Sequence, residues 1–321
     1  GQLKGNALRI APVEATVNGS TLTGNVTFEN ILDFSLDTFP LRGIVNFEST
    51  MIDLDKLMGT GGQTAASSNG SFALPSGFDL DIRGRANKVI YSPLQLNEVL
   101  LSSKLSGQRF IMEKITAKAA GGQMTLQGLF ETPPGQSPVF DLKYDINRLE
   151  FKKAFESFST LSVIAPLFRY IEGFFNSSLI FQGKLAPSGL PDFNSLSVNG
   201  LIETLEGSIK GFEPLKRIAE KTGLREIGNL NIANSRNWFN IDQGIVQVKE
   251  FDKKIGDIRL EVEGTHRISG PMDYEILIDL PQGKTSQYLK AARIDEGMQL
   301  YNEFMAKAGL NKTLSAELDL L

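Results

Sequence analysis

Few residues in this chain could do chemistry. Among its 321 residues there is one histidine, His266, and no cysteine. Without cysteine there are no disulfides, zinc–thiolate sites, iron–sulfur clusters or thiol nucleophiles. A lone histidine makes a His-rich metal centre or a Ser–His–Asp triad improbable. Two carboxylate pairs, Asp79 with Asp81 and Glu261 with Glu263, stand two residues apart. Such pairs can serve acid–base work or hold a divalent ion. Here they alternate with apolar residues and have Arg83, Arg85 and Arg259 nearby, the pattern of a solvated sheet face. Gly283-Lys284-Thr285-Ser286 looks like the end of a phosphate-binding loop. The glycine needed five residues before Gly283 is replaced by Ile278, so Thr285 or Ser286 reads instead as a helix N-cap. His266 falls on the apolar register of Ile258–Ile268 and reads as a satisfied strand histidine. Trp238 reads as a partly buried strand residue.

The elements that would position these residues are mainly strands. Apolar and polar residues alternate with period two in many segments. Phe78, Leu80 and Ile82 alternate with Asp79, Asp81 and Arg83. Met124, Leu126 and Phe130 do so with Thr125, Gln127 and Glu131. Phe140, Leu142, Tyr144 and Ile146 follow suit, as do Ile258, Leu260 and Val262, then Tyr274, Ile276, Ile278 and Leu280. Leu314–Leu320 closes the chain in the same way. Roughly fifteen such segments at short spacing predict antiparallel meanders. Glycines inside the runs, at Gly84, Gly128, Gly183, Gly200 and Gly264, predict bulges or bends that curl the sheet. Three helices are expected: Phe151 to Phe175, divided at Pro166; Glu213 to Thr222; and Ser286 to Lys307. Gly59–Ser71 reads as a flexible, low-complexity surface loop. The change from strand to helix near Leu149 divides the chain into residues 1–150 and 151–321, two portions of what could be one continuous elongated domain.

Composition narrows the function. A net charge of −4 gives no reason to expect nucleic acid. No run of twenty apolar residues exists, and the start has no signal-peptide pattern. The sequence therefore reads as a soluble piece of a longer, anchored protein. Phenylalanine dominates the aromatics, with 21 Phe against 6 Tyr and 1 Trp. Phe lacks a polar handle and suits a dry core or a lipid-facing surface. About fifteen strands would make an open sheet about 70 Å long. Three helices cover only part of one face of it. The remaining apolar face has to pack on another sheet, curl on itself or meet an apolar ligand.

The order of motifs resembles the AsmA-like family of bacterial envelope proteins, which is related to TamB. Leu41-Arg42-Gly43 leads to Met51-Ile52-Asp53-Leu54-Asp55-Lys56-Leu57. Gly121–Gly128 (GGQMTLQG) follows, then Phe140–Phe155, Gly207-Ser208-Ile209-Lys210-Gly211 and Phe239–Leu280. The resemblance covers roughly Gly19 to Pro281. Leu310–Leu321 only approximates the family's closing strand. The resemblance implies a mostly β, taco-like groove that faces the periplasm from an inner-membrane anchor. It further implies a role in outer-membrane assembly or lipid homeostasis, phospholipid as occupant and no cofactor. Phe78, Leu80, Ile82, Met124, Leu126, Phe130, Phe140, Leu142, Tyr144, Ile258, Leu260, Ile276 and Ile278 are then the expected lining of the groove. The alternative is a closed structural module that recruits an outer-membrane protein through an edge strand. An enzyme is not expected.

Overall fold

The computed structural model describes residues 1–35, 39–59, 73–187, 189–222, 225–255, 258–268, 272–279 and 287–291. The expected loop between Gly59 and Ser71, the segment Gly283–Ser286 and the closing strand at Leu314–Leu320 fall almost wholly outside these residues.

The protein is mostly β, with seventeen strands among the described residues and only short helices between them. Contacts divide it into two units. One comprises Gly1–Asp145 with Ile180–Asp192; the other comprises Ile146–Leu179 and the chain from Phe193 onward.

The first unit is a meander. In chain order it runs β1 (Gln2–Lys4), β2 (Ala7–Val17), β3 (Ser20–Phe28), α1 (Ile31–Ser35), β4 (Leu41–Asp53) and α2 (Leu54–Gly59). It continues with β5 (Phe78–Tyr91), β6 (Leu94–Ser106), β7 (Arg109–Ala119) and β8 (Gly122–Glu131). Each strand from β1 to β8 pairs with the next. All these pairings are antiparallel except β4 with β5, which is parallel. The connection from Leu54 to Gly77 has the length that a parallel crossover requires. α1 and α2 are single-turn helices that period-two reading passes over. At α2, Asp53 accepts from the Lys56 backbone N–H at 3.0 Å and pairs with the Lys56 ammonium at 3.1 Å. These contacts hold the Asp53 carboxyl below its usual range. The strand β9 (Val139–Glu150) is divided between the units.

The second unit opens with α3 (Phe151–Ser157), α4 (Leu161–Ile164) and a 3₁₀ turn at Pro166–Tyr170, followed by β10 (Ile171–Lys184), whose last residues belong to the first unit. The single long helix expected from Phe151 to Phe175 is therefore three short pieces and a strand. Pro166 cannot donate within a helix and sits at the start of the 3₁₀ turn. Next come β11 (Ser197–Lys210), α5 (Glu213–Thr222) and β12 (Asn229–Asn231). The remaining strands are β13 (Ser235–Asp242), β14 (Ile245–Ile255), β15 (Ile258–Arg267), β16 (Met272–Asp279) and β17 (Gln287–Ala291). α5 coincides with the expected second helix. The expected third helix, Ser286 to Lys307, is a strand over Gln287–Ala291, paired with β16. The rest of it lies outside the described residues. β-branched and aromatic content around Tyr274–Leu280 and Tyr288 favours strand pairing over the weak helical stripe.

Candidate functional site

Register places the inward residues of the first unit in transverse rows, because cross-strand partners share a face. One row is Leu8, Phe28, Gly43, Leu80, Leu105, Phe110 and Phe130 across β2 to β8. The next is Ile10, Val26, Val45, Ile82, Ser103, Met112 and Gly128. The third is Val13, Gly24, Phe47, Gly84, Leu101, Ile115 and Leu126. No charged residue occurs in the three rows, and Ser103 is their one polar residue. A Cβ on Gly128 would lie 2.9 Å from the Leu142 Cα, so the second row runs on into β9. There Phe140 stacks on Phe181 at 5.1 Å, and Tyr144 meets the same ring edge-on at 6.4 Å.

Nearly every residue in these rows is half-buried rather than buried; Gly43, Ser103 and Met112 are the exceptions. Neighbours on the same face shield them only in part. One margin is sealed. Ala86, Val89, Val99 and Ala117 form a buried cluster against which Ile52, Leu54 of α2, Leu96 and Ile115 pack. At the other margin Phe34 of α1 meets Phe78 at 6.4 Å. Seven strands at ~4.8 Å span about 29 Å, and the four residues between the outer rows span about 14 Å. The rows therefore cover a footprint of about 400 Å², only part of which is exposed.

Glycine is required where aromatic rings lie flat on this face. A Cβ on Gly84 would come within 2.2 Å of the Phe47 ring, and one on Gly128 within 2.1 Å of the Asp141 carbonyl oxygen. The expected bends thus correspond to close approach of strands or rings at these two positions.

Phe78, Leu80, Ile82, Met124, Leu126, Phe130, Phe140, Leu142 and Tyr144 therefore share one face of the first unit. Ile258 and Leu260 lie in β15 and Ile276 and Ile278 in β16, all in the second unit; their side chains fall outside the described residues. The sequence reading missed Phe28, Val45, Phe47, Leu101, Leu105, Phe110 and Met112. Gly24, Gly43 and Ser103 interrupt the apolar count within their strands, and the bulges at Ile10/Val13 and Met112/Ile115 shift it along β2 and β7.

The opposite face carries the charge. Lys104 sits 3.5 Å from Asp81 and 3.7 Å from Glu113, and Ser102 donates to Glu113 at 2.8 Å. With Arg83 these residues line a shallow polar recess of about 150 Å³. Asp79 and Asp81 are exposed. Glu261 pairs with Arg259 at 3.0 Å, and Arg259 also grips Asp252 through two nitrogens, holding that carboxyl below its usual range. One member of each carboxylate pair, Asp81 and Glu261, is in an ion pair, and the other, Asp79 and Glu263, is exposed.

In the second unit His266 is buried and its Nε2 lies 3.2 Å from the Ile164 carbonyl oxygen of α4. Desolvation pushes its pKa down to about 4. Trp238, expected to be partly buried, is 58% exposed. It faces away from the buried side of β13, which carries Ser235 and Ile241.

No protein-family model matches this sequence, and comparison with curated proteins and with solved structures gives no match.

Proposed function

We propose that this protein is a non-enzymatic binder of acyl-chain lipid, held along the apolar face of the first unit. The observation that supports this most is the trio of uncharged rows, half-buried over about 29 Å by 14 Å with the charges on the opposite face. A lipid chain layer is half the ~30 Å hydrocarbon core of a bilayer, about 15 Å, so the face has room for extended chains. Each buried methylene contributes about 0.8 kcal/mol, which gives one chain a useful but reversible affinity. Reversibility suits transfer rather than storage. The motif order resembling AsmA-like proteins supports phospholipid as the occupant. It also supports a periplasmic setting with an inner-membrane anchor and a part in outer-membrane assembly or lipid homeostasis.

Mass spectrometry of lipids extracted from the purified protein tests the reading. Enrichment of phospholipid over a control protein purified alongside is expected. Equal lipid content in the two samples would overturn it.

A further inference from the structure

Two hydroxyls on the apolar face of the first unit make no hydrogen bond to the described residues, and they differ in burial. Ser103 Oγ is buried without a hydrogen-bond partner, with the residue only 2% exposed. It stands between Ile82 and Met112 in the second row and is too buried to meet a ligand. Tyr144 is half-buried and stands at the margin of the rows, beside Phe140 and Phe181. No hydrogen bond among the described residues engages its hydroxyl. Among the described side chains only Ser103 Oγ is buried without a partner, so the Tyr144 hydroxyl is open to water, and a ligand's acceptor can take that water's place for a net gain of about 0.5–1.5 kcal/mol.

The charges around it indicate what could accept that bond. Lys143 and Asp145 flank Tyr144 in the chain and pair with each other at 3.4 Å. Arg83 and Lys104 project from the opposite face. The rows themselves supply no cation. A free carboxylate entering the face would be desolvated without a counter-charge, which is strongly unfavourable. An ester carbonyl is neutral and accepts a hydrogen bond, so it satisfies the phenol without that penalty.

We infer that Tyr144 is a specificity-determining residue, donating its hydroxyl to the ester carbonyl of a bound acyl chain and selecting esters over free fatty acids. This rests on the lipid-binding reading above. Burial also raises the Tyr144 pKa to about 12, which keeps the group a neutral donor throughout the physiological range.

The test uses three probes of one chain length, methyl oleate, oleate and octadecene, with the intact protein and the Tyr144→Phe variant. Phe keeps the ring contact with Phe181 and removes only the oxygen. The wild type is expected to bind methyl oleate more tightly than oleate. In Tyr144→Phe, methyl oleate affinity should drop about fivefold, the worth of one net hydrogen bond. Octadecene affinity should be unchanged, which also reports an intact fold. If methyl oleate and octadecene bind but the substitution leaves their ratio unaltered, or oleate binds as well as the ester, the role of Tyr144 is overturned and the lipid-binding face stands. If none of the three binds the wild type, both readings fall together.

Discussion

A cross-strand row in each unit shows what cover does to the same kind of sequence. In the first unit, Ile10, Val26, Val45 and Ile82 line up across four strands and stay half-buried. In the second, Val198, Ile241, Val246 and His266 line up across four strands and are 3%, 1%, 3% and 7% exposed. The second row lies where α4 reaches it, through the His266–Ile164 contact. Beside it Phe151, Phe168 and Phe175 form a buried aromatic trio with ring centroids 4.4–5.4 Å apart. Both rows alternate apolar with polar along each strand. The difference comes from the helical segments of Phe151–Tyr170, for which the first unit has only the short helices α1 and α2 at its margins. One apolar face is covered within its own unit, and the other stays half-buried among the described residues.

The sharpest way to break this comparison is to truncate a phenylalanine in each unit. Phe151→Ala removes a ring that is 1% exposed and touches two others. It should destabilise the second unit by about 3–5 kcal/mol. Phe110→Ala, in a half-buried row, should cost less, because part of the ring already meets solvent. Urea denaturation of both variants measures the gap. Equal losses would mean that the rows of the first unit are an ordinary covered core.

Acid separates the units next. The His266 pKa is about 4 when folded against about 6.5 when unfolded, so the unfolded chain binds the proton more readily. Stability from the neutral imidazole is complete above pH 6.5 and is lost as pH falls from 6.5 toward 4. The full loss is about 3 kcal/mol. Melting followed by Trp238 fluorescence, from a residue of the second unit, should fall in that window. His266→Gln keeps a donor for the Ile164 carbonyl and should flatten the dependence. A wild-type profile without slope there would show that the histidine is not held neutral by burial.

Glycine 84 sharpens the picture of the open face itself. Gly84→Ala pushes a methyl into the ring of half-buried Phe47, a side chain that can yield where backbone cannot. The expected cost is about 1–2 kcal/mol. At Gly128, in contrast, a methyl meets backbone at 2.1 Å and the φ of 142° disfavours any side chain, so Gly128→Ala should cost more. Thermal melts of the two variants give the order, and the reverse order would indicate that Phe47 is locked by a covering layer.

Much of this was legible from residues alone, and the failures have physical causes. Strong alternation in β5, β8 and β9 identified Phe78, Leu80, Ile82, Leu126, Phe140 and Tyr144 as sharing a face, because side chains on a strand alternate strictly. In β6 Leu101, Ser103 and Leu105 do alternate on the face, but the serine breaks the apolar run; in β7 the bulge after Met112 moves the face from even to odd positions, so Phe110 and Met112 do not line up with Ile115. The helical stretch from Phe151 was overextended because its apolar spacing fits a helix locally. At Ile171 the sheet captures the chain, and tertiary pairing overrides propensity. That Trp238 is exposed was not legible at all. Sequence gives which residues alternate but not which of the two faces an outside layer will cover.

The smallest effect on stability should give the clearest functional contrast, and it comes from adjacent residues. Lys104 lies on the charged face, half-exposed, with ion pairs at 3.5 and 3.7 Å. Such pairs are worth about 0–1 kcal/mol and are screened by salt, so Lys104→Ala should leave stability within roughly 0.5 kcal/mol. Leu105, next in the chain, stands on the opposite face between Leu80 and Phe110. Leu105→Ala should cost about 1 kcal/mol, below the 2–5 kcal/mol of a fully buried leucine, since Leu105 is only half-buried. Lipid retention should part the two further than stability does. Phospholipid co-purifying with Lys104→Ala should match wild type, while Leu105→Ala or, more severely, Leu105→Glu should lose most of it. A glutamate there puts an unpaired carboxylate among the rows, where a bound chain would have to desolvate it. With the face empty, water can reach that carboxylate, so the variant should still fold. Retention unchanged in Leu105→Glu would show that lipid does not lie on the rows, whatever else the protein carries.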